Sequence, residues 1–186
     1  PLSSIQMTHS ILESELGESL DPFMTKSLVV AKDNVTRLMA LVNNLLDLDK
    51  LESGFIEFLP ENEAAGQVVE TSINAIESLF KKKSIEVKHN IDPNLYIYAD
   101  KERLVQVLIN LLGNAIKYSE PGSKITVKAR KEGKAVRFSV SDTGRGIPAD
   151  KLSTIFERFR QVEASDEKVH KGAGLGLAIS KAIIER

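Results

Sequence analysis

The chain has 186 residues, a formal net charge of −1 at neutral pH, no Cys and no Trp. That length fits one large domain or two small ones. Without Cys there is no disulfide framework, thiol catalysis or thiolate metal site, which fits a reducing compartment, and the near-neutral charge gives no ground for nucleic-acid binding.

No apolar run approaches the length of a membrane span and no signal peptide is visible, so no membrane contact is expected of this chain. The first fifty or so residues read as two helices. Leu2, Ile5, Ile11, Leu12 and Leu16 are apolar ahead of a break at Gly17 and an Asp21-Pro22 turn. In the second helix Leu28, Ala31, Val35, Leu38, Val42 and Leu45 follow alternating three- and four-residue steps, and Met39 and Leu46 widen the stripe. This is the pattern of a helix packed in a bundle. A hairpin of two such helices buries too little by itself, which predicts a homodimer closed into a four-helix bundle. The alternative is a hairpin folded back on its own globular domain.

Gly54 ends this pattern and divides the chain into residues 1–54 and 55–186. Phe55–Leu59 begins a different texture, and Val68–Phe80 is helical in period. Lys81–Lys83 reads as a solvated helix end rather than a phosphate-binding patch. Ile85–Val87, Tyr96–Tyr98, Ile125–Ala129 and Val136–Val140 gather β-formers between turn signals, with a hairpin turn at Lys131–Lys134 between the last two. The fold class is α+β, with a helical hairpin followed by an α/β sandwich whose helices cover one face of a mixed sheet.

The segment Arg103–Lys117 carries the first chemistry. At about 100° per residue, Leu104, Leu108, Leu111 and Ala115 fall together, and Val105, Val107, Ile109, Leu112 and Ile116 extend the apolar surface around most of the cylinder. Arg103, Gln106, Asn110, Gly113, Asn114 and Lys117 share the narrow remainder. Such a helix is largely buried, and its polar stripe faces something specific. An amide oxygen is a hard, neutral ligand suited to Mg²⁺, which keeps several waters and bridges substrate phosphates, and Lys117 could add positive charge beside them. Capping or interhelical hydrogen bonds are the other use of such a stripe.

Two glycine-rich loops follow. Asp142 ends the strand-like run and is followed at once by Thr-Gly-Arg-Gly-Ile-Pro, where Gly144 and Gly146 permit close backbone approach to a ligand. A carboxylate at a strand end can accept from an exocyclic amine such as adenine N6, and guanine would present an oxygen there instead. An ordinary Asp-Gly turn is the alternative. Gly172, Gly174 and Gly176 enter the apolar-periodic segment Leu177–Ile184, a geometry that offers backbone N–H groups to a polyphosphate. Before them, Gln161–Lys171 is polar and aperiodic, as a lid over phosphates would be, and Phe156 and Phe159 could dock that lid or serve as core of a short helix. His9, His89 and His170 have no mutual spacing that suggests a metal site and read as structural or solvated.

In combination these stretches resemble the sensor histidine kinases of two-component systems, over essentially the whole chain. NLLGNAIKYS resembles their N box, DTGRGIP and GAGLGL their two glycine boxes, IFERF their F box, and PLSSI the tail of their H box. LVNNLLDLDKLESG resembles the end of the second dimerisation helix. The resemblance implies the GHKL (Bergerat) ATP-binding fold behind a dimerisation hairpin, and a protein-histidine kinase using ATP and Mg²⁺. Asn114 would coordinate the metal with Asn110 beside it, Lys117 and Tyr118 would lie against the nucleotide, and Asp142 would read adenine. Gly144 and Gly146 would admit the base, and Gly172, Gly174 and Gly176 the phosphates. Ile147, Phe156, Lys171 and Leu175 complete the implied nucleotide set.

Some relatives carry an Arg just after the F box, where Gln161 stands here with Arg160 one residue earlier. The phosphoacceptor His of the resembled box would lie five residues before Pro1, and His9 is turned too far around the helix to replace it. Strands that complete this family's sheet are likewise expected beyond Arg186. The chain as it stands is therefore expected to bind ATP without phosphorylating itself. A homodimeric, cytoplasmic kinase core serving a response-regulator receiver domain is the overall expectation, compatible with a parent anchored through a sensory region elsewhere. Two alternatives are an ATP-hydrolysing member of the same superfamily and an ATP-binding pseudokinase or scaffold. Hydrolysing relatives carry a Glu as general base where Asn110 stands, and an amide cannot take that proton.

Overall fold

A computed structural model of the chain describes residues 2–16, 21–160 and 174–186. It divides into two compact units, Pro1–Asp49 and Lys50–Arg186.

The first unit is built on α1 (Leu2–Leu16) and most of α2 (Pro22–Glu52). The Asp21-Pro22 pair is the start signal of α2. The Asp21 carboxylate accepts from Met24 N at 2.7 Å, satisfying an otherwise orphaned amide, while Pro22 occupies the first helical position, where no N–H is needed. Leu38, Val42 and Leu45, on the stripe expected to be buried between helices, remain 47%, 39% and 45% exposed in the single chain.

In the second unit a three-stranded sheet has the order β2 (Glu86–His89), β4 (Lys124–Glu132), β5 (Ala135–Ser141), with β2 parallel and β5 antiparallel to β4. The register sets Val87 beside Ile125, Val127 beside Val140 and Ala129 beside Phe138, so alternation along each strand gathers one apolar face. The β4–β5 turn is Gly133-Lys134, inside the segment expected to turn. Helices α3 (Ala65–Ala75), α4 (Glu77–Lys82) and α5 (Lys101–Tyr118) supply the rest of the core. Val68, Val69, Ile76, Phe80, Leu104, Leu108, Leu112, Ala115 and Ile116 close on Ile125 and Val127. Of α5 only Glu102 is exposed, in line with the reading of a largely buried helix.

Three details differ from the sequence reading. The single period over Val68–Phe80 covers two helices with a break at Ile76, because Val69, Ile76 and Phe80 keep one stripe across it. A strand absent from the sequence reading, β1 (Glu61–Ala64), pairs antiparallel with β3 (Tyr96–Ala99) as a separate two-stranded ribbon. The run Lys81–Lys83 is not uniformly solvated. Lys81 makes a surface pair with Glu77 at 2.9 Å, whereas Lys83 is half-buried and turned inward.

Asp100 fixes where α5 begins. Its Oδ1 accepts from Arg103 N at 3.0 Å as a helix cap, and its Oδ2 accepts from Leu59 N at 3.1 Å, tying down the segment that leaves α2. Asp100→Ala removes both bonds and is expected to cost about 1–2 kcal/mol of stability, read from the midpoint shift in urea unfolding.

Candidate functional site

Helix α5 presents its polar stripe to two loops. Near its middle, Asn110 Nδ2 donates to Ser180 Oγ at 2.7 Å. Ser180 lies on α6 (Gly176–Ile184), the helix that leaves the second glycine loop, and is itself buried. The first residue of α6, Gly176, is packed so closely on Asn110 that a Cβ there would meet all three terminal atoms of the amide. The absence of a side chain at Gly176 is what allows α6 to approach α5. The Ser180 bond then ties the Asn110 amide to α6.

One turn further on, Asn114 is half-buried on the same stripe. Among the described residues its amide has no hydrogen-bond partner. The two asparagines therefore differ: Asn110 joins two helices, whereas the Asn114 amide bonds to no described residue.

At the C-terminal end of α5 the first glycine loop arrives. A Cβ on Gly144 would lie 2.5 Å from the Tyr118 carbonyl oxygen and 2.9 Å from Asp142 Oδ1. Gly144 N donates to that same Asp142 oxygen at 2.8 Å, so Asp142 makes the Asx-type turn that the sequence allowed and remains exposed. The Arg145 guanidinium sits 4.9 Å from the Tyr118 ring centroid and Lys117 Nζ 4.6 Å from it, both in reach of a cation–π interaction. Ile147 is exposed beyond this contact.

In the second loop Gly174 takes φ +68°, a conformation L side chains rarely adopt, with its carbonyl accepting from Phe159 N at 2.9 Å. A Cβ there would strike the backbone of Phe159 and Arg160. Leu175, fully buried, is the residue before α6 and offers no side-chain acceptor to the helix's first amides. Among the described residues no side chain caps those N–H groups. Lys171 and Gly172 lie outside the described residues, as do His170 and the polar stretch read as a lid.

Phe156 and Phe159 correct the core reading of that segment. They are 43% and 59% exposed, on a chain of turns that follows the short 3-10 turn Ala149–Lys151 rather than on a helix. Glycine-rich loops on either side permit such an irregular course. The structure thus gathers Asn110, Asn114, Lys117, Tyr118, Asp142, Gly144, Gly176 and Leu175 around one helix, with Gly174 joined to Phe159.

Sequence reasoning passed over Ser180 and Arg145. Ser180 stands one turn after Gly176, so a search of that helical face for polar residues would have found it. Arg145 lay inside the quoted motif without a role. His89 is exposed, at the wall of a shallow cavity with Glu70 and Asn90 that lies apart from these loops.

Comparison with known proteins is consistent across sequence and structure. Residues 1–54 match the model of the His Kinase A (phospho-acceptor) domain, and residues 99–186 that of the histidine kinase-, DNA gyrase B- and HSP90-like ATPase. An uncharacterized sensor-like histidine kinase of Rhizobium meliloti is 32% identical over 100% of this chain and 36% of its own length. Sensor histidine kinase WalK of Bacillus subtilis is 31% identical over 100% of this chain and 30% of its own. The chain thus spans about a third of the length of these curated relatives. Among solved structures, full-length ShkA in complex with AMPPNP superposes with a TM-score of 0.81 at 29% identity, covering 98% of this chain and 37% of ShkA. The catalytic domain of histidine kinase ThkA gives a TM-score of 0.60 at 30% identity, covering 70% of this chain and 81% of that one.

Proposed function

The chain belongs to the histidine kinase family, and from that premise we propose that it is the ATP-binding core of a two-component protein-histidine kinase. Asn114 offers its amide oxygen to Mg²⁺, and Asn110, one N–H of which donates to Ser180, stands beside it with its amide oxygen. The ion, when bound, neutralises phosphate charge. Asp142 accepts the adenine amine through the carboxylate oxygen not engaged by Gly144, which discriminates against guanine. Gly144 and Tyr118 seat that end of the nucleotide, with Gly146 and Ile147 behind. The amides opening α6, with Gly174, Leu175 and Gly176, take the polyphosphate, and Lys117, Phe156, Lys171 and Gly172 complete the pocket.

In the parent kinase a phosphoacceptor imidazole of the dimerisation hairpin, which is not His9, attacks the γ-phosphorus in line while the bond to the β-phosphate oxygen breaks and ADP leaves. The phosphoryl group then passes to an Asp of a response-regulator receiver domain. Catalysis of this kind rests on positioning and charge neutralisation. The half-exposed stripe Leu38, Val42 and Leu45 supports a homodimer through the hairpin. Among the described residues no helix is long and apolar enough to cross a membrane, and a core that consumes ATP is assigned to the cytoplasm.

The observation that carries this reading is the arrival of both glycine loops on one helix, Gly144 on Tyr118 and Gly176 on Asn110. Isothermal calorimetry tests it. ATP uptake that tightens when Mg²⁺ is added is the expected result, and no uptake, or uptake indifferent to the metal, overturns it. Fast steady hydrolysis of ATP would replace the kinase with a hydrolase.

A further inference from the structure

Lys83 lies just after α4, and its ammonium reaches across to the far end of α5. Lys83 Nζ donates to the carbonyls of Ile116 at 2.9 Å, Lys117 at 3.2 Å and Ser119 at 3.1 Å. The last carbonyls of a helix have no partner within it and carry the negative end of its dipole. A single cation placed on two of them, and on the Ser119 carbonyl just beyond, satisfies both needs. The main chain adds a second hold, because the Lys83 carbonyl accepts from Gly122 N at 3.1 Å. Lys83 thus grips the turn after α5 from both sides. Ser84, with φ +54°, reverses the chain directly behind it and sends it into β2.

The carbonyl that Lys83 does not take is that of Tyr118, the one on which Gly144 rests. Binding the neighbours on either side fixes the direction of the Tyr118 peptide, and with it the seat of the first glycine loop. The Tyr118 ring lies under Arg145 of the same loop. Lys83 itself is not placed in the pocket.

We propose that Lys83 is a positioning residue of the nucleotide site: its ammonium organises the C-terminal turn of α5 so that Tyr118 receives the loop carrying Asp142 and Gly144. This rests on the ATP-binding reading above. A positioning role at the base-reading end makes a distinctive demand. Loss of the ammonium should weaken adenosine and Mg-ATP by the same factor, since the disturbed contact is shared by both ligands and the metal is not involved.

The test is calorimetric titration of the full chain and of Lys83→Met with adenosine and with Mg-ATP, alongside circular dichroism to verify folding. The expected result is an affinity loss of about fivefold to twentyfold for both ligands, with the metal dependence of ATP binding retained. Lys83→Met should also be non-additive with Gly144→Ala, because both act on one seat. Should Lys83→Met fail to fold, Lys83→Gln, which keeps donors without the charge, carries the same expectation. Unchanged affinities, a loss confined to Mg-ATP, or full additivity overturns the role of Lys83. Wild-type chain that takes up neither ligand overturns the nucleotide site itself, and the Lys83 role with it.

Discussion

Asn114→Ala is expected to reduce Mg-ATP affinity by at least about tenfold while leaving adenosine affinity unchanged. The two asparagines of α5 are distinguishable on this point. The Asn110 amide is held by Ser180 and pressed against Gly176, so its truncation disturbs the packing of two helices as well as any ligand contact. Asn114 has no protein partner among the described residues and is only half-buried, so its removal leaves no donor or acceptor stranded in the fold. Alanine is also the better helix former. Stability should therefore hold or rise slightly, and the change in binding reports the ligand contact alone. Titrations with Mg-ATP, ATP in a chelator, and adenosine separate the effects. A variant that retains the metal-dependent gain in ATP affinity removes Asn114 from the metal site.

What the sequence disclosed was whatever depends on neighbours along the chain. Asp21-Pro22 marks the start of α2 because the cap is made three residues away, at Met24. The alternation of Ile125 and Val127 with Lys124 and Lys128 announces β4 because a sheet with one covered face requires that period. The asparagine stripe and the glycine loops were legible because close approach of backbone to backbone or to a ligand tolerates few residue types. The contacts that hold these parts together were not. Ser180 meets Asn110 across 70 positions, and Lys83 meets the end of α5 across 33 to 36, so neither pairing leaves a local pattern. Strand β1 reads Glu-Asn-Glu-Ala, with no apolar alternation, and exists through its ladder with Tyr96–Ala99. Lys83 shows the cost of reading by composition alone. Three lysines in a row look like one solvated group, yet Lys81 faces solvent and Lys83 closes a helix.

Gly144→Ala should both destabilise the second unit by about 1–3 kcal/mol and weaken adenosine binding by about tenfold or more. The added methyl group has no room to enter. It would lie 2.5 Å from the Tyr118 carbonyl oxygen, 3.0 Å from the Tyr118 carbonyl carbon and 2.9 Å from Asp142 Oδ1. The first two are backbone atoms at the end of α5, where Lys83 holds the carbonyls on either side, so that wall cannot swing aside without breaking those bonds. The third is the oxygen that accepts from Gly144 N, so displacing it opens the turn that fixes Asp142. The loop must move instead, taking Asp142 away from the position assigned to the adenine amine. Gly146→Ala supplies the contrast: its Cβ would meet nothing within 4 Å, but its φ of +71° strains any side chain, at a cost of about 1 kcal/mol without a clash against α5. Urea unfolding and calorimetry on both variants distinguish crowding from backbone strain. If Gly144→Ala unfolds and binds like the wild type, the first glycine loop does not rest on Tyr118, and the pocket must be drawn without it.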